Sequence, residues 1–371
     1  MTAFDPKRTF EVAGVNSRCN SIKVASAPFC VYRTLEVFGV RMTEKQDGSA
    51  TVFGPKAGES TNSASVPEER RSDLMLSEPG FATQVPVAFT VANYLLVMPS
   101  GHPLLQLLNP ASPSHQPYRE AGLIRLVQAL AQLGRCGTAI DVGANIGDSC
   151  AIVHRLSGLS ILCIEASDFF FPYLEDNIRR HFAARATARC AFVLGVPGSA
   201  PTGLYHMGGS ARAVVGASSE SSAALPITEL LAQVSDIAML KIDVDGMDLA
   251  LVAAALDTVP RYPIYFELEL MGETLETNRG TAAQARDLFA KAAAAGYPTA
   301  WLWDDSGRFY GCLATDDVGA LANALNYMAH FRSRPLWGFD VCLVHWDDSA
   351  LAAELERALT VNAVLPLPLG E

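Results

Sequence analysis

The sequence predicts an α/β fold: a doubly wound, mostly parallel sheet with helices on both faces, behind an N-terminal extension. Three observations predict it. Short apolar runs alternate with helix-length segments between about residues 118 and 345. A glycine-bearing loop, Asp141-Val142-Gly143-Ala144-Asn145-Ile146-Gly147-Asp148, joins an apolar run to a helical one. An acid, Glu165, closes the next apolar run, 22 positions beyond Gly143.

The chain has 371 residues, half of them apolar and 18% charged, enough to bury a large core. A net charge of −11 without clustered Lys and Arg excludes a general nucleic-acid binder. Arg179-Arg180 falls in a helical pattern and reads as a solvated face. Of the eight cysteines no two have zinc or redox spacing, and Cys163 and Cys190 sit in apolar runs, so buried free thiols are expected. The N-terminus does not read as a secretory signal, and no apolar run approaches the roughly 20 residues that cross a bilayer. A cytoplasmic protein with no membrane partner follows. Its oligomeric state is left open.

Residues 1–80 read as an extension. Residues 21–40 are compatible with one or two short strands, and residues 46–73, rich in Gly, Ser, Thr, Pro and charge, with a long loop or linker. From 81 to 350 the texture is that of one domain, with a C-terminal helix and tail over 351–371. Val87, Phe89 and Val91 alternate, so residues 87–98 hold one or two strands, broken at Pro99-Ser100-Gly101. Leu123, Leu126, Val127, Leu130 and Leu133 give residues 118–133 a helical stripe. Strands are then expected at 138–142, 160–164, 189–194, 237–242, 263–268, 299–303 and 339–345. Helices are expected at 148–156, 170–184, 249–255 and 281–295. Strands separated by helices of this length pair in parallel through right-handed crossovers, with the last two free to pair antiparallel at one edge. Residues 301–308 read as a strand entering a turn at Asp305-Ser306-Gly307.

The loop carries the most chemistry. Gly143 and Gly147 permit backbone angles that a Cβ forbids, and bare backbone lets a ligand approach at the carboxyl end of the strand. An acid at the end of the second strand, about 20 residues on, suits two ribose hydroxyls. The dinucleotide pattern Gly-x-Gly-x-x-Gly is not met: Asn145 and Asp148 stand at its second and third glycines. The second glycine is where a pyrophosphate presses on the backbone, so a nucleoside without phosphates is favoured over a dinucleotide.

The loop, together with Ile164-Glu165-Ala166-Ser167, Leu174-Glu175-Asp176-Asn177-Ile178 and Leu240-Lys241-Ile242-Asp243-Val244-Asp245-Gly246-Met247-Asp248, resembles the FkbM family of S-adenosylmethionine-dependent methyltransferases over roughly residues 90–345. Asp248 stands where that family commonly has Glu. The resemblance implies a seven-stranded class I methyltransferase sheet and S-adenosyl-L-methionine as cofactor. It places Asp141, Gly143, Ala144, Asn145, Gly147, Glu165, Ala166 and Ser167 about the cofactor, and implies O-methylation of a hydroxyl on a sugar or natural-product-like small molecule. A dinucleotide-dependent oxidoreductase and a catalytically silent nucleoside-binding module are the competing readings.

Methyl transfer to oxygen needs an aligned acceptor and a group to take its proton. Asp243, with Lys241 two residues earlier, ends the fourth strand, and Glu267 ends the next; these are the candidate catalytic residues. If the strand continues to Asp245, Lys241, Asp243 and Asp245 share one side. The alternative is structural: Lys241 pairs with an aspartate, and Asp245-Gly246 makes a turn and helix cap. Asp243, Asp245 and Asp248 with Glu267 or Glu269 also suggest a divalent ion, but the ligand positions of a calcium hand are missing, and no metal is expected. His206 reads either as a general base in a covering loop or as a solvent-exposed loop histidine. Residues 100–118 read as an acceptor lid or a plain connection.

Overall fold

A computed structural model describes residues 84–116, 118–195, 203–207, 209–214, 223–269, 275–304, 306–330 and 338–360, and the secondary structure of 35–37, 40–44 and 50–52. The chain divides into two compact units, Met1–Val66 and Pro67–Glu371. In the first, β1 (Leu35–Val37), β2 (Val40–Glu44) and β3 (Ala50–Val52) form an antiparallel meander. The third strand corrects the expectation of continuous loop over 46–73, whose other residues lie outside those described. So do Cys19 and Cys30.

The second unit opens with a hairpin, β4 (Pro86–Val91) and β5 (Tyr94–Pro99). Ala92 and Asn93 both have left-handed φ (49° and 68°), the turn whose twist matches that of paired strands. A short helix α1 (Leu104–Leu107) leads to α2 (Ala121–Gln132). The alternating part follows: β6 (Thr138–Val142), α3 (Asp148–Leu156), β7 (Ser160–Glu165), α4 (Phe171–Asn177), β8 (Ala186–Cys190) and β9 (Phe192–Leu194). A hairpin, β10 (Gly203–Met207) and β11 (Ser210–Val214), comes next, then β12 (Ala224–Pro226), α5 (Ile227–Ala232), β13 (Ile237–Ile242), α6 (Asp248–Leu256) and β14 (Ile264–Glu269). The chain continues through α7 (Leu275–Ala294), β15 (Thr299–Asp304), β16 (Phe309–Ala314), α8 (Val318–His330), β17 (Gly338–Val344) and α9 (Ser349–Thr360).

The central sheet runs β16-β15-β17-β14-β13-β6-β7-β8. Its β14 to β8 half is wholly parallel, and β17 inserts antiparallel between β14 and β15. The expected mixed α/β sheet is therefore present, with eight strands rather than seven. The added strand is β16, which folds back on β15 past the expected turn (Asp305 lies outside the described residues).

Two further expectations need correction. Residues 189–194 are not one strand: β8 ends at Cys190, where the Ala191 N–H makes the last rung to the Glu165 carbonyl of β7 at 3.1 Å, and β9 pairs with β12 instead. Residues 170–184 are not one regular helix: α4 passes into a π-helical turn, Ile178–Phe182. Arg179 and Arg180 stay exposed there and pair with Asp176. Among the cysteines, Cys150, Cys163 and Cys342 are buried, Cys190 is intermediate, and Cys136 and Cys312 are exposed.

Two apolar cores flank the sheet. Ile140, Val142, Leu240 and Ile242 pack into one; Ala139, Met239 and Tyr265 belong to the other, with α2 and α3. Strand alternation thus sends Asp141 and Lys241, which are register neighbours, to the α2–α3 face. No helix among the described residues is long and apolar enough to cross a membrane.

Candidate active site

The glycine loop bends because two of its links take left-handed backbone angles, φ +84° at Gly143 and +92° at Gly147. The space that a Cβ on Gly143 would fill is taken by protein: the added atom would stand 1.7 Å from the carbonyl oxygen of Asp243. The Asp243 N–H in turn donates to the Val142 carbonyl at 2.9 Å. Gly143 is thus required by contact between the ends of β6 and β13. Asn145 also has positive φ (49°), which asparagine tolerates better than most residues.

Between the carboxyl ends of these strands lies a cleft of about 540 Å³, counted to its open mouth. Gly143, Asn145, Glu165 and Ala166 line one side, Asp243, Val244, Asp245 and Met247 another, and Leu204 and Ala211 of the β10–β11 hairpin a third. Of the residues expected about a cofactor, Gly143, Asn145, Glu165 and Ala166 are in the lining. Asp141, Ala144, Gly147 and Ser167 are not.

Glu165 is the best-defined group in the cleft. Its Oε2 accepts the Asn145 N–H at 2.8 Å and its Oε1 accepts the Ser167 N–H at 2.7 Å. Burial pushes its pKa up to about 7, against the pull of those two donors. Each oxygen keeps a lone pair for a further donor.

Asp141 holds no position in the cleft. It accepts the Ser149 hydroxyl at 2.5 Å and lies 3.2 Å from the Lys241 ammonium. Lys241 bridges on to Asp243 at 3.1 Å. Lys241 and Asp141 are almost fully buried (5% and 4% of the side chain exposed), whereas Asp243 keeps 39% of its side-chain surface and faces the cleft. The structural alternative for Lys241 is met twice over, with an aspartate on each side. Burial alone lowers a lysine pKa, but Asp141 and Asp243 outweigh it and hold Lys241 above its ordinary value. Burial also opposes ionisation of Asp243, and Lys241 outweighs it, so Asp243 stays below the ordinary carboxylate range.

β13 ends at Ile242, so Asp245 does not continue its alternation; with φ 52° it turns the chain together with Gly246 at 100°. Asp248, rather than Asp245, holds that turn: its carboxylate accepts the N–H groups of Val244 (3.0 Å) and Gly246 (3.1 Å). Each of its oxygens accepts one backbone N–H, which gives Asp248 a structural part in the turn. Among the described residues no group of three or more His, Cys, Asp or Glu is placed to hold a metal.

Glu267 hydrogen-bonds Asp243, and burial raises its pKa well above the ordinary carboxylate value. Sequence reasoning missed the other members of this polar recess. Arg119 and Glu120 stand just before α2 and pair with each other at 3.5 Å. Burial lowers the Arg119 pKa, but Glu120, Asp148, Glu267 and Asp243 together carry it above its ordinary value. Burial raises the carboxyl of Asp340, the register neighbour of Glu267 on β17. A lone acid between Phe339 and Val341 was the available signal.

No family model matches the chain, and no curated protein matches it. Similar solved structures include precorrin-6y C5,15-methyltransferase from Geobacter metallireducens (12% identity over 60% of this chain and 87% of that one, TM-score 0.30). Another is an O-methyltransferase from Bacillus cereus in complex with SAH (15%, 60% and 80%, TM-score 0.33). A third is geranyl diphosphate C-methyltransferase from Streptomyces coelicolor in complex with Mg2+, geranyl diphosphate and S-adenosyl-L-homocysteine (12%, 61% and 77%, TM-score 0.32). Likenesses this distant tie no activity to this chain.

His206 is half-buried in the hairpin rather than solvent-exposed, and its Nε2 lies 2.7 Å from the Ser167 hydroxyl. That contact puts it beside the Glu165 end of the cleft. His102, from the segment weighed as a lid, lies 3.2 Å from the Asn145 side-chain oxygen, and burial lowers its pKa to about 4.

Proposed function

We propose that the cleft binds S-adenosylmethionine and that the chain is a methyltransferase of FkbM type, acting on a hydroxyl of a small acceptor. The observation that carries this is the Glu165 carboxylate, fixed at the mouth of the glycine loop by two backbone donors with lone pairs to spare. Such a group suits a vicinal diol, and a ribose supplies one. Asn145 favours a nucleoside without phosphates: its side chain, tied to His102 and to the Gly209 carbonyl, stands where a pyrophosphate would need bare backbone. This disfavours the dinucleotide alternative.

Bound there, the cofactor supplies an electrophilic sulfonium methyl. The chain's own part is to align the acceptor and take its proton. Asp243, ionised beside Lys241 and open to the cleft, accepts the hydrogen bond of the acceptor hydroxyl. As the new O–CH3 bond forms, the hydroxyl proton passes to the hydrogen-bonded Asp243–Glu267 pair. Lys241 positions Asp243 from behind and does not meet the acceptor.

Titration calorimetry with S-adenosylhomocysteine is the direct test. The expected result is binding by the native chain, weakened by at least roughly tenfold in Glu165→Ala, where a charge-assisted bond is lost. Asp243→Asn should keep that affinity while methyl transfer to a hydroxylated acceptor falls by about 10²–10⁴. Absence of binding by folded protein at millimolar ligand would remove the proposal.

A further inference from the structure

The two oxygens of Glu165 are each linked, through one intervening residue, to the same hairpin. Glu165 Oε2 accepts the backbone N–H of Asn145 at 2.8 Å, and the Asn145 side-chain amide donates to the Gly209 carbonyl at 2.7 Å. Glu165 Oε1 accepts the backbone N–H of Ser167 at 2.7 Å, and the Ser167 hydroxyl shares a 2.7 Å hydrogen bond with His206 Nε2. Gly209 sits at the turn of β10 and β11, and His206 lies on β10. The same hairpin supplies Leu204 and Ala211 to the cleft wall. Gly209, with φ +106°, is packed so closely on Pro103 that an added Cβ would stand 2.1 Å from its Cδ.

We infer that the β10–β11 hairpin is a cover for the nucleoside site whose closure is coupled to the Glu165 carboxylate, with Asn145, Ser167 and His206 as positioning residues. A carboxylate whose backbone donors belong to the residues that also grip the cover cannot be displaced without loosening it. By the same linkage, a ligand that fastens on Glu165 tightens the cover, and the two effects are equal in free energy. Symmetry of attachment is what separates this from ordinary packing: one tie would anchor the hairpin, whereas two ties to the two oxygens of one group make it sense the position of that group. The inference rests on the nucleoside reading of the cleft.

The test uses the full chain with S-adenosylhomocysteine as probe, read by hydrogen exchange of the 203–214 amides and by calorimetry. Bound ligand should slow exchange of those amides at least tenfold. His206→Ala should raise the dissociation constant several-fold and lower the protection gained on binding by the same factor, both read at a temperature where the free variant is fully folded. His206→Gln, whose amide can reach the Ser167 hydroxyl, should restore both. Ligand that binds normally without slowing exchange in the hairpin overturns the coupling and leaves the nucleoside reading intact. Equal affinity of native and His206→Ala chains does the same. Failure of the native chain to bind removes both.

Discussion

A Cβ added to Gly143 would stand 1.7 Å from the carbonyl oxygen of Asp243. The loop that lines the cleft and the strand end that carries its exposed carboxylate are therefore in backbone contact, and the space between them is fixed by the absence of a side chain. Gly147 makes a useful contrast. Its φ is similar, +92°, but the nearest atom to its added Cβ is the Leu174 Cδ1 methyl at 3.1 Å, which can give way. Left-handed φ alone costs an alanine roughly 1–2 kcal/mol. Gly147→Ala should lose about that much in urea unfolding. Gly143→Ala, which must also push the ends of β6 and β13 apart, should lose more than about 4 kcal/mol or fail to fold. Equal losses would show that the Gly143–Asp243 contact relaxes freely.

The buried bridge Asp141–Lys241–Asp243 predicts a non-additive pair. Lys241→Met removes the one cation between two carboxylates, and breaking a buried pair costs roughly 3–5 kcal/mol. The double variant Lys241→Met with Asp141→Asn leaves a single carboxylate, half-open to the cleft, and should recover a large share of that loss. Lys241 is also what holds Asp243 below the ordinary carboxylate range. In Lys241→Met the acid limb of the pH–rate profile should therefore move to higher pH, while S-adenosylhomocysteine affinity changes little. An additive double variant, or an unmoved acid limb, would count against the bridge.

Glu165 and Asp248 give the pH dependence a definite sign. Burial raises both to about 7, from ordinary values of 4.5 and 3.8. Below the ordinary values both states are protonated. Between them and about 7 the unfolded chain has released protons that the fold still binds, so these two groups make stability fall as pH rises, and the fall ends above about 7. Asp243 is shifted the other way and acts at lower pH; Asp248 keeps its own share of the fall, so Glu165→Gln should flatten the decline rather than abolish it. A ribose hydroxyl donates best to the ionised carboxylate. Affinity for S-adenosylhomocysteine should therefore rise through pH 7 by up to about tenfold per unit and then level, and Glu165→Gln should bind weakly at every pH. A flat affinity profile in the native chain would separate Glu165 from the ligand.

Much of the fold was legible because its signals are local. The runs that became β6, α3 and β13 are bounded by glycines or charges, so their limits lie in the sequence itself. The break between β8 and β9 is different. No Gly or Pro marks Ala191, and the exchange of partner there, from β7 to β12, depends on a strand that comes later in the chain. The site divides the same way. Gly143, Asn145 and Glu165 follow from a tight turn and a strand-end acid within one strand–helix–strand unit. Arg119, Glu120 and Asp340 come to the Asp243 recess from segments distant in sequence, and only the sheet order brings them near. Even at Gly143 the physical reason differs from the expected one. What needs the room is the backbone of Asp243, far along the chain but on the neighbouring strand of the sheet.

Asn177 predicts the cost of undocking the first hairpin from the site. Its side chain is fully buried and makes three hydrogen bonds to backbone: it accepts the Val97 N–H at 2.7 Å and donates to the carbonyls of Val97 and Ile146, both at 2.9 Å. Val97 belongs to β5 and Ile146 to the glycine loop, so one amide on α4 ties the β4–β5 hairpin to the turn that shapes the cleft. Asn177→Ala strands three polar backbone groups, and an unmet buried group costs about 1–3 kcal/mol. The expected loss in urea unfolding is at least about 3 kcal/mol, with little change in the slope. Asn177→Asp keeps the acceptor but exchanges two donated bonds for a charge facing two carbonyls, and should be worse still. Hydrogen exchange at the amides of residues 94–99 and 144–147 should rise together in Asn177→Ala. Faster exchange in one segment alone would show that the hairpin and the loop are held independently.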